Sequence, residues 1–165
     1  MNARLALLII AIVSSGLVAG LLYGWMVSVI PGTRRVADRN YVETMQEINL
    51  AIINPGFAIA FMITPVLLAG AAFAEQRAGN TRRAITLVAA AATYLTGVLA
   101  VTIGGNVPLN NNLASFDLAT ASDASTAEQR HAYERPWNRW HNVRTAASVT
   151  AFALAAVTLA ISEEG

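Results

Sequence analysis

The chain contains no cysteine and no lysine, and few of its residues are charged. The lack of cysteine excludes disulfides, thiolate metal sites and a thiol nucleophile. Charged residues make up 13% of the 165 residues, about half of the share that a soluble domain carries. A net charge of +1 without a dense basic segment argues against a nucleic-acid partner. Since 55% of the chain is hydrophobic, the composition indicates an integral membrane protein.

Four apolar segments are each long enough to cross roughly 30 Å of hydrocarbon at about 1.5 Å per residue. They cover approximately residues 5–30, 56–74, 84–103 and 143–161. The first begins like a signal peptide, but its apolar run continues to Ile30, which predicts a retained span. Pro65 predicts a kink in the second span, and Gly104-Gly105 predicts the end of the third. We therefore expect a single all-α domain over residues 1–165, built as a four-helix transmembrane bundle.

Arginine density in the short connections predicts how the bundle is oriented. Arg4 lies in the N-terminal stub, and three arginines crowd the tight connection between the second and third spans: Arg77, Arg82 and Arg83. The positive-inside rule then assigns both termini to the cytoplasm and the two long connections to the outside. We expect the membrane to be a bacterial cytoplasmic membrane.

The first long connection carries a helical pattern. Asn40 to Glu43 has the spacing of a capping box. Apolar residues follow at i, i+4, i+7 and i+11, namely Tyr41, Met45, Ile48 and Ile52. This pattern predicts a short extracytoplasmic amphipathic helix over residues 40–53. Its Gln46 and Asn49 face either a pocket or solvent.

The second long connection is polar and rich in asparagine. Asn106 precedes Pro108, and the consecutive residues Asn110 to Asn112 follow it. Their amides supply many donors and acceptors near the bilayer surface, or they satisfy the local backbone in a turn. We expect a long ordered loop between spans three and four. Pro136 predicts a break in the short helix near the end of this connection.

The histidines do not specify a metal or haem site. Glu128 and His131 have the Glu-x-x-His spacing of di-iron bundles. Such a site needs a second copy and further carboxylates on facing helices, and the four predicted spans contain no carboxylate. His131 and His141 alone do not define a haem site. Since the chain has no nucleotide-binding glycine motif either, we expect no metal and no cofactor.

The segment from Trp137 to Thr145 combines aromatic, basic and imidazole side chains at the entrance of the fourth span. In a helix, four of them fall at i, i+3, i+4 and i+7 on one face: Trp137, Trp140, His141 and Arg144. One interpretation is an interfacial belt, in which tryptophan anchors and arginine extends to the headgroups. An anchor does not require His141 or Arg144, so the second interpretation is a binding or catalytic site.

An arginine at the top of a span needs hydrogen-bond acceptors, and the asparagine carbonyls are the nearest plentiful ones. We therefore expect the segment after the third span to fold back and bring Asn106 and Asn110 near His141 and Arg144.

Two further features concern packing and transport. Gly16, Gly20 and Gly24 repeat at intervals of four, which predicts close helix packing within the bundle or in a homo-oligomer. None of the spans carries Asp, Glu, Lys, Arg or His in its middle. Ion-coupled transporters and proton pumps generally need such a group, so this class is disfavoured.

Several motifs in order resemble the anthrone-oxygenase-like family of small four-span membrane proteins. They are the Met-Gln-x-Ile-Asn motif of residues 45–49 before Asn54-Pro55, the segment 105–111, and the segment 140–145. The resemblance covers nearly the whole chain. It implies oxidation of an anthrone-like, phenolic or quinol-like lipid-soluble molecule by molecular oxygen, without a cofactor.

Such a reaction needs an aromatic-lined apolar pocket, a general base, and donors for a phenolate oxygen. Under the resemblance, His141 is the expected base, and Arg144 and Asn106 the expected catalytic donors. The expected substrate-binding residues are Trp137, Trp140, Asn110, Gln46 and Asn49. The alternative is a noncatalytic four-span protein whose outer loops bind a partner or lipid. A rigid pocket favours the enzyme, whereas a flat exposed apolar patch favours the alternative.

Overall fold

The computed structural model describes residues 2–164, and within them the chain forms helices and no strand. We number the five helices α1 (Ala3–Thr33), α2 (Asp38–Ala51), α3 (Pro55–Arg77), α4 (Thr81–Ala114) and α5 (Asp123–Ala160). All except α2 are long and apolar enough to cross a membrane. The predicted all-α bundle of four spans is confirmed.

The four long helices pack as an up-down bundle. Helix α1 contacts α3 and α5, and α4 contacts the same two helices. Leucine and alanine fill the centre, with Leu8, Leu68 and Leu87 fully buried. A second cluster, rich in aromatic residues, lies where α2 covers the bundle, and it includes Tyr41, Tyr133 and Trp137. The bundle therefore has an aliphatic centre and an aromatic end.

Helix α3 continues through Pro65 without a break. A proline nitrogen cannot donate to the carbonyl four residues earlier, which here belongs to Phe61. The hydroxyl of Tyr94 on α4 donates to that carbonyl at 2.8 Å. A neighbouring helix thus satisfies the backbone group that the proline leaves free, as a helix in hydrocarbon requires.

Helix α2 begins two residues earlier than predicted, and its N-cap is Ala37. The predicted capping box at Asn40 is therefore wrong. Arg130 of α5 explains the earlier start, since it donates to the Val36 carbonyl at 2.7 Å and to Asp38 at 3.0 Å. These contacts hold the beginning of α2 against α5.

The segment between the third and fourth spans is ordered, as predicted, but most of it is helical. Helix α4 passes Gly104-Gly105 in a π-helical turn, Thr102–Asn106, and ends at Ala114. Helix α5 already begins at Asp123, so only residues 115–122 connect the two. The predicted end of the third helix at Gly104-Gly105 is wrong.

Close packing against α5 explains the glycine at position 105. A Cβ atom at Gly105 would lie 2.7 Å from Cγ of Trp140, so only glycine lets the indole approach. Pro136 lies inside α5 and does not end it, so the predicted break there is wrong. Because α5 is continuous, the side chains of residues 137–145 keep the helical spacing that the sequence predicted.

The other end of the bundle gathers the start of α1, residues 161–164 and the α3–α4 connection around a buried carboxylate. Glu75 accepts a hydrogen bond from Asn80 at 2.7 Å, and Arg4 lies 3.6 Å away. Glu163 bridges Arg4 at 2.6 Å and Arg83 at 3.0 Å. This ion-paired end lies opposite the aromatic end.

Candidate functional site

A cavity of about 270 Å³ lies at the aromatic end, between α1, α2, α4 and α5. Its volume is close to the lower limit of roughly 300 Å³ for small-molecule pockets. Seven of the eight predicted site residues line it: Gln46, Asn49, Asn106, Asn110, Trp137, His141 and Arg144. Trp140 does not; it is 39% exposed and packs against Gly105.

The geometry of α5 explains why Trp140 separates from its neighbours. Successive residues of an α-helix are about 100° apart, so Trp137, His141 and Arg144 form a narrow stripe, with Trp140 at its edge, about 100° from His141. Tyr133, which was not among the predicted site residues, continues this stripe one turn earlier. It stacks on Trp137 with ring centroids 6.1 Å apart.

His141 is 1% exposed and uses both ring nitrogens. Its Nε2 lies 3.0 Å from the carbonyl oxygen of Leu22. A carbonyl can only accept, so Nε2 carries the hydrogen and Nδ1 has the lone pair. Nδ1 faces Arg144, with Nη2 at 3.0 Å and Nε at 3.3 Å. The ring is thus neutral in this arrangement, and Arg144 occupies the lone pair that a base would use.

Arg144 is the cation of the cavity. Its guanidinium lies 5.3 Å from the centre of the Trp137 ring, and Nη1 donates to Thr102 at 3.4 Å. It forms no salt bridge with any carboxylate of residues 2–164, and none of these carboxylates lines the cavity. Because an enclosed charge without a counter-ion is costly, the site favours an anionic ligand.

Aromatic rings form the wall beside this cation. The rings of Trp137 and His141 stack at a centroid distance of 5.0 Å and an angle of 9°. Trp25 packs 6.1 Å from Trp137 and 6.4 Å from His141. Trp25 was not among the predicted site residues. Its position near the end of the first span could have indicated it, because in an up-down bundle this end lies beside the start of the fourth span.

The two predicted asparagines have different roles. Asn106 is buried and donates through Nδ2 to the Trp137 carbonyl at 3.2 Å. Its Oδ1 is also buried and has no hydrogen-bond partner among the described residues. Asn110 accepts through Oδ1 from Tyr133 at 2.9 Å and from the Trp137 indole at 2.8 Å. Asn110 therefore orients the aromatic wall, whereas Asn106 is anchored to the Trp137 backbone and leaves one buried acceptor unpaired among the described residues.

The fold-back predicted for these asparagines brings them to the cavity that His141 and Arg144 line. The expected hydrogen bonds from Arg144 to the asparagine oxygens are absent among the described residues. Arg144 donates to His141 and Thr102 instead.

Helix α2 covers the cavity and is held there by its polar side chains. Gln46 donates to the carbonyls of Leu113 at 2.8 Å and Phe116 at 2.9 Å. Asn49 donates to the Tyr133 hydroxyl at 3.2 Å. Beyond them, apolar side chains form the rim, and Ile53 is 80% exposed. The site thus has a polar floor and an apolar edge.

Within residues 2–164, no cluster of three or more His, Asp or Glu side chains has the arrangement of a metal site. His131 lies on the outer surface of α5 and lines a separate groove, away from His141. The two histidines are therefore not ligands of one haem or metal ion in this conformation.

Comparison with known proteins places the chain in a family. A search of curated proteins and a search of solved structures gave no match. A family model described as anthrone oxygenase matches residues 53–154, which is more than half of the chain. The match includes the parts of α4 and α5 that line the cavity. The resemblance noted in the sequence is confirmed over these residues, which do not include the motif at 45–49, and the chain belongs to the anthrone oxygenase family.

Proposed function

We propose that the protein is a membrane-embedded, cofactor-independent oxygenase that oxidises a phenolic, anthrone-like or quinol-like molecule. The observation that carries this proposal is Arg144, a guanidinium without a carboxylate partner in the described chain, set against an aromatic wall. A flat molecule that ionises at oxygen fits both features. The proposal treats the whole chain as one integral membrane domain.

The reaction balances with molecular oxygen alone. An anthrone-like substrate loses a proton from its acidic CH₂ group and becomes an electron-rich phenolate. The anion reduces oxygen, and a carbon–oxygen bond forms at that carbon. Loss of water from the resulting hydroperoxide leaves a carbonyl group. In total, CH₂ and O₂ become C=O and H₂O, so the substrate supplies all the electrons.

In this scheme Arg144 stabilises the substrate anion and the charge that develops during its oxidation. Trp25 and Trp137 belong to the aromatic wall that contacts the rings of the substrate. Asn106 donates to the Trp137 carbonyl and so holds α4 against α5 at the cavity.

His141 acts as a positioning residue in this scheme, because its Nδ1 lone pair is directed at Arg144. The proton of the substrate then goes to solvent, since no carboxylate of residues 2–164 lines the cavity. Arg144 makes this loss easier by stabilising the anion that remains.

The rim suggests how a greasy substrate arrives. Apolar residues of α2 and of the segment that follows it, among them Ile48, Ile52 and Ile53, border the cavity. A lipid-soluble molecule can therefore pass from the bilayer over this edge without crossing water. We assign this end of the bundle to the outer side of a bacterial cytoplasmic membrane, and both termini to the cytoplasm.

The test is oxygen uptake by the purified protein in nanodiscs, with emodin anthrone as substrate and no added cofactor. Arg144→Ala should lower turnover at least tenfold, since losing a donor to a transition-state anion costs about 2–4 kcal/mol. Arg77→Ala, an exposed arginine at the opposite end, should leave turnover unchanged. Uptake by the wild type no faster than the uncatalysed reaction, across several acidic phenols, would favour the noncatalytic alternative.

A further inference from the structure

A second cavity, of about 750 Å³, lies on the outer surface of α5 beside the end of α1. We call it the arginine groove. Four arginines and a single carboxylate line it: Arg34, Arg130, Arg135, Arg139 and Glu134. It shares no lining residue with the aromatic cavity.

The positive charge of the arginine groove is largely uncompensated. Arg130 is engaged, because it pairs with Glu134 at 2.8 Å and with Asp38 at 3.0 Å. Arg34, Arg135 and Arg139 are exposed and form no salt bridge within residues 2–164. Three guanidinium side chains thus border one concave surface whose only carboxylate already has a partner. Such an arrangement suits a phosphate group, which accepts several guanidinium hydrogen bonds at once.

The position of the groove along the bundle indicates the source of the phosphate. Arg34 directly follows α1, so it lies where the first span ends. On α5, Val143 lines the groove one turn after Arg139, and the apolar half of that helix follows. The guanidinium groups therefore lie at headgroup depth, directly above lipid-facing apolar surface. A free phosphate would use the arginines but not this apolar surface.

We propose that the arginine groove binds the headgroup of an anionic phospholipid, whose acyl chains run along α1 and α5. The phosphate of the lipid replaces the missing counter-charge of Arg34, Arg135 and Arg139. Isolated arginines at a membrane surface extend separately toward different headgroups, whereas these three border one cavity. Basic pockets between membrane helices bind anionic headgroups in this way.

The experiment compares the full chain in nanodiscs of phosphatidylcholine alone with nanodiscs that also contain phosphatidylglycerol. Thermal unfolding is measured in both, and native mass spectrometry counts the phosphatidylglycerol retained by the protein. Phosphatidylglycerol should raise the Tm of the wild type, because a ligand that binds only the folded state stabilises it. The double variant Arg135→Gln/Arg139→Gln should bind this lipid roughly tenfold more weakly. The control Arg35→Gln, at the same end but outside the groove, should behave as wild type.

Two results would overturn the proposal. One is an equal rise in Tm for the wild type and the double variant. The other is the same rise when inorganic phosphate is added to nanodiscs of phosphatidylcholine, which would identify a free anion as the ligand. If the double variant does not fold, the single variant Arg139→Gln provides the comparison by mass spectrometry, and wild-type lipid retention by that variant would count against the groove.

Discussion

His141 and Arg144 form one unit: Nδ1 of the imidazole lies 3.0 Å from Nη2 of the guanidinium. The opposite ring nitrogen is fixed 3.0 Å from the Leu22 carbonyl. The histidine is thus held from α1 and in turn holds the arginine. The buried histidine therefore positions Arg144, and neither of its ring nitrogens is free to act as a base.

His141→Asn should lower turnover less than Arg144→Ala does, because an amide can keep one hydrogen bond to the guanidinium. The pH dependence of kcat should keep its wild-type shape, since a positioning residue does not carry the substrate proton. Steady-state oxygen uptake between pH 5 and 9 gives both quantities. If a limb of the wild-type pH profile disappears in His141→Asn, the imidazole is the base after all.

The sequence predicted much of the site because helical periodicity brings Trp137, His141 and Arg144 to one face whatever packs against it. It could not predict the role of His141, since the partner of Nε2 is a backbone carbonyl of α1, more than a hundred residues away. Trp140 illustrates the same limit. Because Trp140 lies at the edge of the stripe, its side chain could have entered the cavity or packed on the neighbouring helix. The structure shows the second arrangement, in which the indole packs against Gly105 of α4.

The four-span fold was predictable from the lengths of the apolar segments, because the thickness of the hydrocarbon layer sets a minimum length for each spanning helix. Helix ends outside the hydrocarbon were less predictable. Gly104-Gly105 and Pro136 normally mark ends, yet both lie within helices here because α4 and α5 pack closely there. Local propensity is a weak signal where tertiary contacts of this kind compete with it.

Gly105→Ala should destabilise the protein, whereas Gly104→Ala should not. A Cβ at position 105 would lie 2.7 Å from the Trp140 ring, but a Cβ at position 104 would meet nothing within 4 Å. Overpacking of this kind costs about 1–3 kcal/mol, while alanine at an unobstructed helical position is neutral or favourable. Thermal unfolding in nanodiscs compares the two. Equal Tm values for both variants would contradict the close contact between α4 and α5.

Tyr94→Phe should lower the free energy of unfolding by about 1–3 kcal/mol, because the Phe61 carbonyl is then left without the donor that replaces the Pro65 nitrogen. Tyr23→Phe, at an exposed tyrosine, is the matched control and should have little effect. Chemical unfolding in detergent measures both. A neutral Tyr94→Phe variant would mean that water or another group satisfies this carbonyl.

Glu163→Gln should weaken the ion-paired end in a pH-dependent way. The hydrogen bond from Arg4, together with the charge of Arg83, holds the pKa of the Glu163 carboxyl below its ordinary value of 4.5. Because the folded state has the lower pKa, the stabilisation is present above about pH 4.5 and is lost as the pH falls through the folded value. The difference in Tm between wild type and Glu163→Gln should therefore shrink below that pH.

The control for this experiment is Glu43→Gln, at an exposed glutamate without a salt bridge in the described chain. Its Tm should follow that of the wild type throughout. A difference for Glu163→Gln that stays constant down to pH 3.5 would show that ionisation of this carboxyl contributes nothing.

The orientation in the membrane is tested with single cysteines, since the chain has none of its own. Ala119→Cys adds a thiol to the exposed connection between α4 and α5, and Ala78→Cys adds one to the exposed connection between α3 and α4. Both alanine side chains are exposed, so both variants should fold. The arginines near Ala78, namely Arg77, Arg82 and Arg83, predict that this connection is cytoplasmic.

An impermeant maleimide added to intact bacterial cells should therefore label Ala119→Cys at once. It should label Ala78→Cys only after the membrane is permeabilised. The opposite pattern would reverse the orientation and open the aromatic cavity toward the cytoplasmic side. Labelling of both variants in intact cells would contradict the up-down bundle itself, because α4 separates the two connections by one crossing of the membrane.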